Sequence, residues 1–203
     1  MQDEITKTLG PDGRFARLCP GYEYREEQLD MARAVGDAIL RKEHLIVEAG
    51  TGVGKTVGYL TPAVIHAAGG KPVIVSTHTI NLQGQLINKD IPLMRQVMEE
   101  HPFTAVLMKG RGNFLCLHEL NLASGDIYRQ GDPLFEQLKK WSAETQTGDI
   151  GELDFHFPEW SEVCCNQDTC KHGECPHYLE RCFYYNMRRK AEKADIVVVN
   201  HSL

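Results

Sequence analysis

The chain has 203 residues, enough to bury a sizeable core as one domain or as one domain carrying a large insertion. Apolar residues make up 42% and charged residues 25%, ordinary values that exclude bulk disorder. A net charge of −6 excludes a globally basic coat, so any contact with a polyanion must come from a local groove or patch.

The polar start, Met1-Gln-Asp-Glu-Ile-Thr-Lys7, lacks the basic-then-apolar signature of a secretory signal. No apolar run is long enough to cross a bilayer, so a cytoplasmic protein without a membrane partner is expected. Between Tyr24 and Leu40, Leu29, Ala32, Val35 and Ile39 recur at helical spacing and predict the first helix. The apolar run His44–Glu48 predicts a strand. It leads into Ala49-Gly-Thr-Gly-Val-Gly-Lys-Thr56 and then a helix from Val57 to Ala68, stopped by Gly69-Gly70. Pro72–Ser76 predicts a second strand, Ile80–Glu100 a second helical region and Thr104–Met108 a third strand. Continuously apolar strands alternating with helices define an α/β fold with a parallel sheet.

From Gly110 to about Lys193 the alternation breaks into a segment crowded with cysteine, histidine and aromatic residues, which reads as an insertion. The pattern returns at Asp195-Ile-Val-Val-Val199, followed by Asn200-His-Ser-Leu203. The expected organisation is a first part over 1–110, an insertion over 111–193 and a returning strand over 194–203.

Ala49 to Thr56 matches the phosphate-loop pattern, with Ala49 in place of the first glycine. Its glycines let backbone N–H groups curl around phosphate oxygens while the following helix points its positive end at them. Lys55 then neutralises the β/γ charge and Thr56 is placed to ligate Mg²⁺ of bound ATP. A glycine-rich turn that merely precedes a helix is the blander reading, and the agreement of strand, loop, Lys-Thr and helix weighs against it.

Seven cysteines in a reducing compartment argue for metal or cluster ligation rather than a disulfide framework. Cys116 stands apart, while Cys164, Cys165, Cys170, Cys175 and Cys182 offer five candidates for three further places. Four thiolates hold either a tetrahedral zinc or a [4Fe–4S] cluster. Zinc sites favour two tight hooks, so one distant ligand with three close ones favours the cluster. Cys19, isolated, reads as a buried thiol. The stretch Arg181–Lys193 mixes aromatics with bases. That suits base stacking, but an amphipathic helix packing its aromatics on the sheet is the preferred reading. His78 and His201 sit at strand ends, where hydrogen bonding in a loop is the expected role.

Together these residues resemble the DinG/XPD-like DNA helicases of superfamily 2, over nearly the whole chain. Arg25-Glu-Glu-Gln28 is similar to the family's adenine-contacting Q-like motif, and Glu48–Thr56 to motif I. Ser76-Thr-His-Thr79 with Leu82-Gln-Gly-Gln-Leu86 is similar to motif Ia. Lys109-Gly-Arg-Gly-Asn-Phe-Leu-Cys116 resembles the segment around the first cluster ligand, and Val197–Leu203 the strand that follows the insertion.

The resemblance implies a RecA-like lobe interrupted by a mainly helical iron–sulfur insertion. It implies nucleotide contacts from Arg25, Gln28, Ala49, Gly50, Thr51, Gly52, Val53, Gly54, Lys55 and Thr56, with Lys55 and Thr56 carrying the phosphate chemistry. The implied cluster ligands are Cys116, Cys170, Cys175 and Cys182, with Cys164 and Cys165 as spares and Cys165 as an alternative to Cys170. Single-stranded DNA would pass Ser76, Thr77, His78, Thr79, Lys109 and Arg111, moved 5′ to 3′ by the parent enzyme. The family's D-E-A-H box and second motor domain would follow Leu203, so the parent is expected to hydrolyse ATP and this stretch alone to be inactive. A nuclease or repair factor sharing the lobe, and a DNA-binding redox sensor, are the alternative readings.

Overall fold

In the computed structural model, which describes residues 1–201, two short helices open the chain: α1 (Gln2–Leu9) and α2 (Arg14–Leu18). The polar start is therefore helical, and the helix expected to be first is the third. Ile5 and Leu9 lie one turn apart on α1 and are completely buried. Glu4 fixes the pair of helices by accepting from Arg14 at 2.5 Å and lying 3.2 Å from the His101 ring.

Next come α3 (Glu26–Arg41) and α4 (Lys55–Ala68), which pack on one another. The run His44–Glu48 between them is not a strand: it carries no secondary structure and is exposed, with Ile46 98% accessible. A strand exists through the ladder it shares with a neighbour, and no described strand pairs with this run.

Strand β1 (Val73–Thr77) leads into α5 (Ile80–Gln85), a π-helical turn (Leu86–Asp90) and α6 (Ile91–Val97), which together fill the expected second helical region. Thr79 starts α5, its hydroxyl accepting from the Leu82 amide at 3.2 Å. Strand β2 (Ala105–Leu107) follows. The chain then runs through α7 (Leu117–Ser124), α8 (Pro133–Glu144), α9 (Trp160–Val163) and α10 (Phe183–Lys193) before β3 (Ile196–Asn200).

The described strands form one parallel sheet in the order β1-β3-β2, so the fold is α/β with the last strand in the middle. Val73 pairs with Ile196 on one side, and Ala105 with the same residue on the other. Ile196 and Val198 are completely buried in a core that also takes Ile5, Leu9, Leu60, Val64, Met94 and Val97. Two compact units result: residues 1–107 with 194–201, and residues 108–193. No described helix is long and apolar enough to cross a membrane.

Candidate functional site

In the first unit the glycine loop sits immediately before α4. Gly52 and Gly54 adopt φ of +86° and +80°, which only glycine takes without strain. The Lys55 ammonium folds back over the loop, donating to the carbonyl oxygens of Ala49 at 3.1 Å and Gly50 at 2.9 Å. Two residues from the start of α3 reach the same loop. Arg25 donates through Nη1 to the Gly52 carbonyl oxygen, and Gln28 donates through Nε2 to that of Gly54 at 3.0 Å.

Gln28 is buried, and its own oxygen accepts from the Tyr22 hydroxyl at 2.7 Å, so its amide is held by both ends. A Cβ at Gly54 would fall 2.0 Å from Gln28 Nε2. The third glycine is thus required both by its backbone angle and by the close approach of α3. Glu27, Asp30 and Met31 of α3 line one open groove with Ala49, Gly50 and Val53 of the loop. Thr51 is exposed, and Thr56 stands half-buried in the first turn of α4.

The carboxyl ends of β1 and β3 are tied together. Ser76 Oγ lies 2.6 Å from His201 Nδ1, the His201 amide donates to the Thr77 carbonyl oxygen at 2.9 Å, and Asn200 Nδ2 donates to that of His78 at 3.2 Å. Thr77 is buried, while Ser76, His78 and Thr79 are exposed. His201 bonds through its ring and its amide, and His78 through its backbone carbonyl oxygen. Ser202 and Leu203, the end of the last motif, lie outside the described residues.

In the second unit one pocket is walled by Cys116, Cys165, Cys170, Cys175 and Cys182, with Arg111, Tyr184 and Tyr185 beside them. No aspartate or glutamate lines it. Among the described residues no three His, Cys, Asp or Glu side chains are grouped to hold a metal ion. Hydrogen bonds from Cys165 hold the Cys116 thiol down to about 7 and the Cys182 thiol down to about 6. The same contacts, with burial, push the Cys165 thiol strongly up. Two thiols are thereby biased toward the thiolate that metals bind.

Arg111 lies over the Tyr184 ring at 4.4 Å, and its buried Nη1 has no hydrogen-bond partner among the described residues. Five thiols beside His118, His172 and the Arg111 guanidinium, with no carboxylate in the wall, fit a soft, anionic iron–sulfur group better than a hard oxygen-seeking cation. Lys109 is ion-paired with Asp149 at 2.5 Å. Phe183, Tyr184 and Tyr185 of α10 are buried, and the contacts of Phe183 and Tyr184 are with Gly148, Phe114 and Arg111 of their own unit, where packing on the sheet was expected.

Sequence reasoning missed the part Tyr22 plays in holding Gln28; it offered Cys165 as an alternative to Cys170 but did not distinguish it from Cys164, which stays outside the pocket. An alternation signal existed for the second: adjacent residues on an extended segment point to opposite sides, so only one of Cys164 and Cys165 can face inward.

A glycine loop that opens α4, one parallel sheet, and a cysteine-rich unit that lies between β2 and β3 in the chain define the class: an α/β protein of two compact units. No family model matches the chain. It is 38% identical over its whole length to the ATP-dependent DNA helicase YoaA of Haemophilus influenzae, and 40% identical over 98% of its length to the Escherichia coli protein of that name. It is also 36% identical over 96% of its length to the 3'-5' exonuclease DinG of Bacillus subtilis. The chain belongs to the DinG-like helicase family and corresponds to its N-terminal part. It spans 32%, 31% and 21% of those three relatives.

Proposed function

We propose that this chain is the nucleotide-binding and cluster-bearing part of an ATP-dependent DNA helicase. Residues 1–110 would form the beginning of a RecA-like lobe, 111–193 an iron–sulfur insertion and 194–203 the returning strand. The carrying observation is the loop itself: Gly52 and Gly54 in left-handed conformations, Lys55 poised over the loop carbonyls, and Arg25 and Gln28 bonded to its back.

The backbone amides from Ala49 to Gly54 would cradle ATP phosphates, Lys55 would leave its carbonyl partners for the β/γ oxygens, and Thr56 would ligate Mg²⁺. Arg25 and Gln28 would face the adenine. Cys116, Cys170, Cys175 and Cys182 would hold a [4Fe–4S] cluster, which supplies a rigid cross-link between distant parts of the insertion. Single-stranded DNA would run past the Ser76–Thr79 turn and the Lys109–Arg111 segment, and the whole protein would move along it 5′ to 3′, in the cytoplasm.

Residues 1–203 correspond to about a third of the helicase relatives, and alone they should turn over ATP negligibly. Titration of the protein with a fluorescent ATP analogue tests the nucleotide site. Lys55→Ala should weaken binding by roughly 30-fold, the loss of one charge-assisted contact of about 2 kcal/mol, and equal affinity for both proteins would refute the assignment.

The exonuclease name of the Bacillus subtilis relative favours a second reading, in which the same nucleotide site serves a protein whose nuclease lies elsewhere. Digestion of labelled single-stranded DNA without ATP separates the two.

A further inference from the structure

This inference rests on the cluster reading above. Six of the seven cysteines fall between 116 and 182, two more than a four-thiolate group requires. The structure treats the two extra thiols differently. Cys164 turns its sulfur toward the Ser161 carbonyl oxygen, 3.7 Å away, and does not line the pocket. Cys165 is 8% exposed and lines the pocket with the other four.

Its position is fixed by backbone. Leu115 and Cys164 form an antiparallel bridge, the Cys165 amide donates to the Phe114 carbonyl oxygen at 2.8 Å, and the Cys116 amide donates to that of Val163 at 2.8 Å. The Cys165 thiol donates to the Leu115 carbonyl oxygen at 3.6 Å and stands on the same pocket wall as Cys116 and Cys182. Cys170 lies five residues on, half-buried in an irregular turn with no such ladder. The best-held thiol in the pocket is therefore a spare, and one of the implied ligands is among the least held.

From this placement we infer that Cys165 is a reserve ligand, able to take the coordination position of Cys170 on the same iron–sulfur group. The exchange is a substitution: an iron–sulfur bond to Cys170 breaks, one to Cys165 forms, and the Cys165 proton passes to the departing thiolate or to solvent. No electron is transferred. The turn from Asn166 to Thr169 would rearrange, while Cys165 already lines the pocket with the other ligands.

The test is iron analysis, with electron paramagnetic resonance of the reduced cluster, on protein purified without oxygen. The unmodified protein and Cys165→Ser should each hold about four irons with the same spectrum. Cys170→Ser should keep about four irons with a changed spectrum, and Cys164→Ser/Cys170→Ser should match it. Cys165→Ser/Cys170→Ser should fall to about three irons or fewer. Iron loss in Cys170→Ser as complete as in Cys165→Ser/Cys170→Ser overturns the inference and leaves the cluster reading intact. Iron loss in Cys165→Ser alone overturns it differently, making Cys165 a standing ligand. An iron-free unmodified protein sinks the cluster reading and this inference with it.

Discussion

The two units are built on different physical plans. Residues 1–107 with 194–201 bury an unbroken apolar cluster, in which Leu60, Val64, Met94, Ile196 and Val198 meet from two helices and the central strand. Residues 108–193 lean instead on specific side-chain contacts. Arg129 sits over Phe135 while paired with Glu159 at 3.4 Å, the Trp160 indole donates to the Gly112 carbonyl oxygen at 2.6 Å, and the thiols ring a pocket. Apolar area stabilises the first unit without any ligand. The second gathers its unusual chemistry around a space, and the proposed cluster, bound there, would contribute directly to its folding.

The largest expected effect separates the two plans. Removing iron from the loaded protein with a chelator should destabilise residues 108–193 by about 4 kcal/mol, the linkage expected for a ligand held a thousandfold above its dissociation constant. Hydrogen exchange should show protection falling in that unit and persisting in the first. Equal loss in both units would mean that they do not fold on separate plans. The converse experiment is Met94→Ala, which empties a fully buried site in the first core. A loss of about 3 kcal/mol in urea unfolding is expected, with iron content unchanged.

A third test lies inside the glycine loop. Gly54→Ala places a Cβ against Gln28 at a φ of +80°, whereas Gly50→Ala meets nothing within 4 Å. The first should cost about 2 kcal/mol and displace Gln28, and the second should leave stability within about 0.5 kcal/mol of the parent. Thermal unfolding of the two variants side by side checks the contrast. Similar losses would show that the loop is not held against α3 as described.

The same division governs what the sequence discloses. Periodicity is a property of apolar residues, so α3, α4, β1, β2 and β3 were all legible from it, with boundaries shifted by a residue or two. The pattern fails where pairing decides: Leu45, Ile46 and Val47 are as apolar as β1, yet without a partner strand they form none. It also fails for α1, whose eight residues expose a polar face and bury only Ile5, Thr8 and Leu9, too short a stripe to stand out. Near the loop, Gly52 and Gly54 could be grouped from residue type and order, and Arg25 and Gln28 only through the resemblance to the helicase family. Tyr22 could not, because its role depends on a side-chain contact across six residues. In the second unit spacing marked the cysteines as a group. Which of the adjacent pair turns inward is set by the bridge between Leu115 and Cys164, a pairing of residues far apart in sequence.

The smallest effect concerns the helices that periodicity missed. Burial pushes the Glu4 carboxyl up, but hydrogen bonds from Arg14 and His101 outweigh it and leave Glu4 below its ordinary value. A carboxylate depressed in the folded state contributes stability that is fully present above its unfolded value, near pH 4.3, and is lost as pH falls through the lower folded value. Glu4→Gln should therefore cost about 1 kcal/mol at pH 7, since the Glu4 and Arg14 side chains are only 19% and 14% exposed. The difference from the parent should shrink toward zero as the pH drops below the glutamate range. Urea titrations at pH 7 and pH 3 would show it. A constant difference at both values would mean that the change acts through packing of α1 and not through the charge of Glu4.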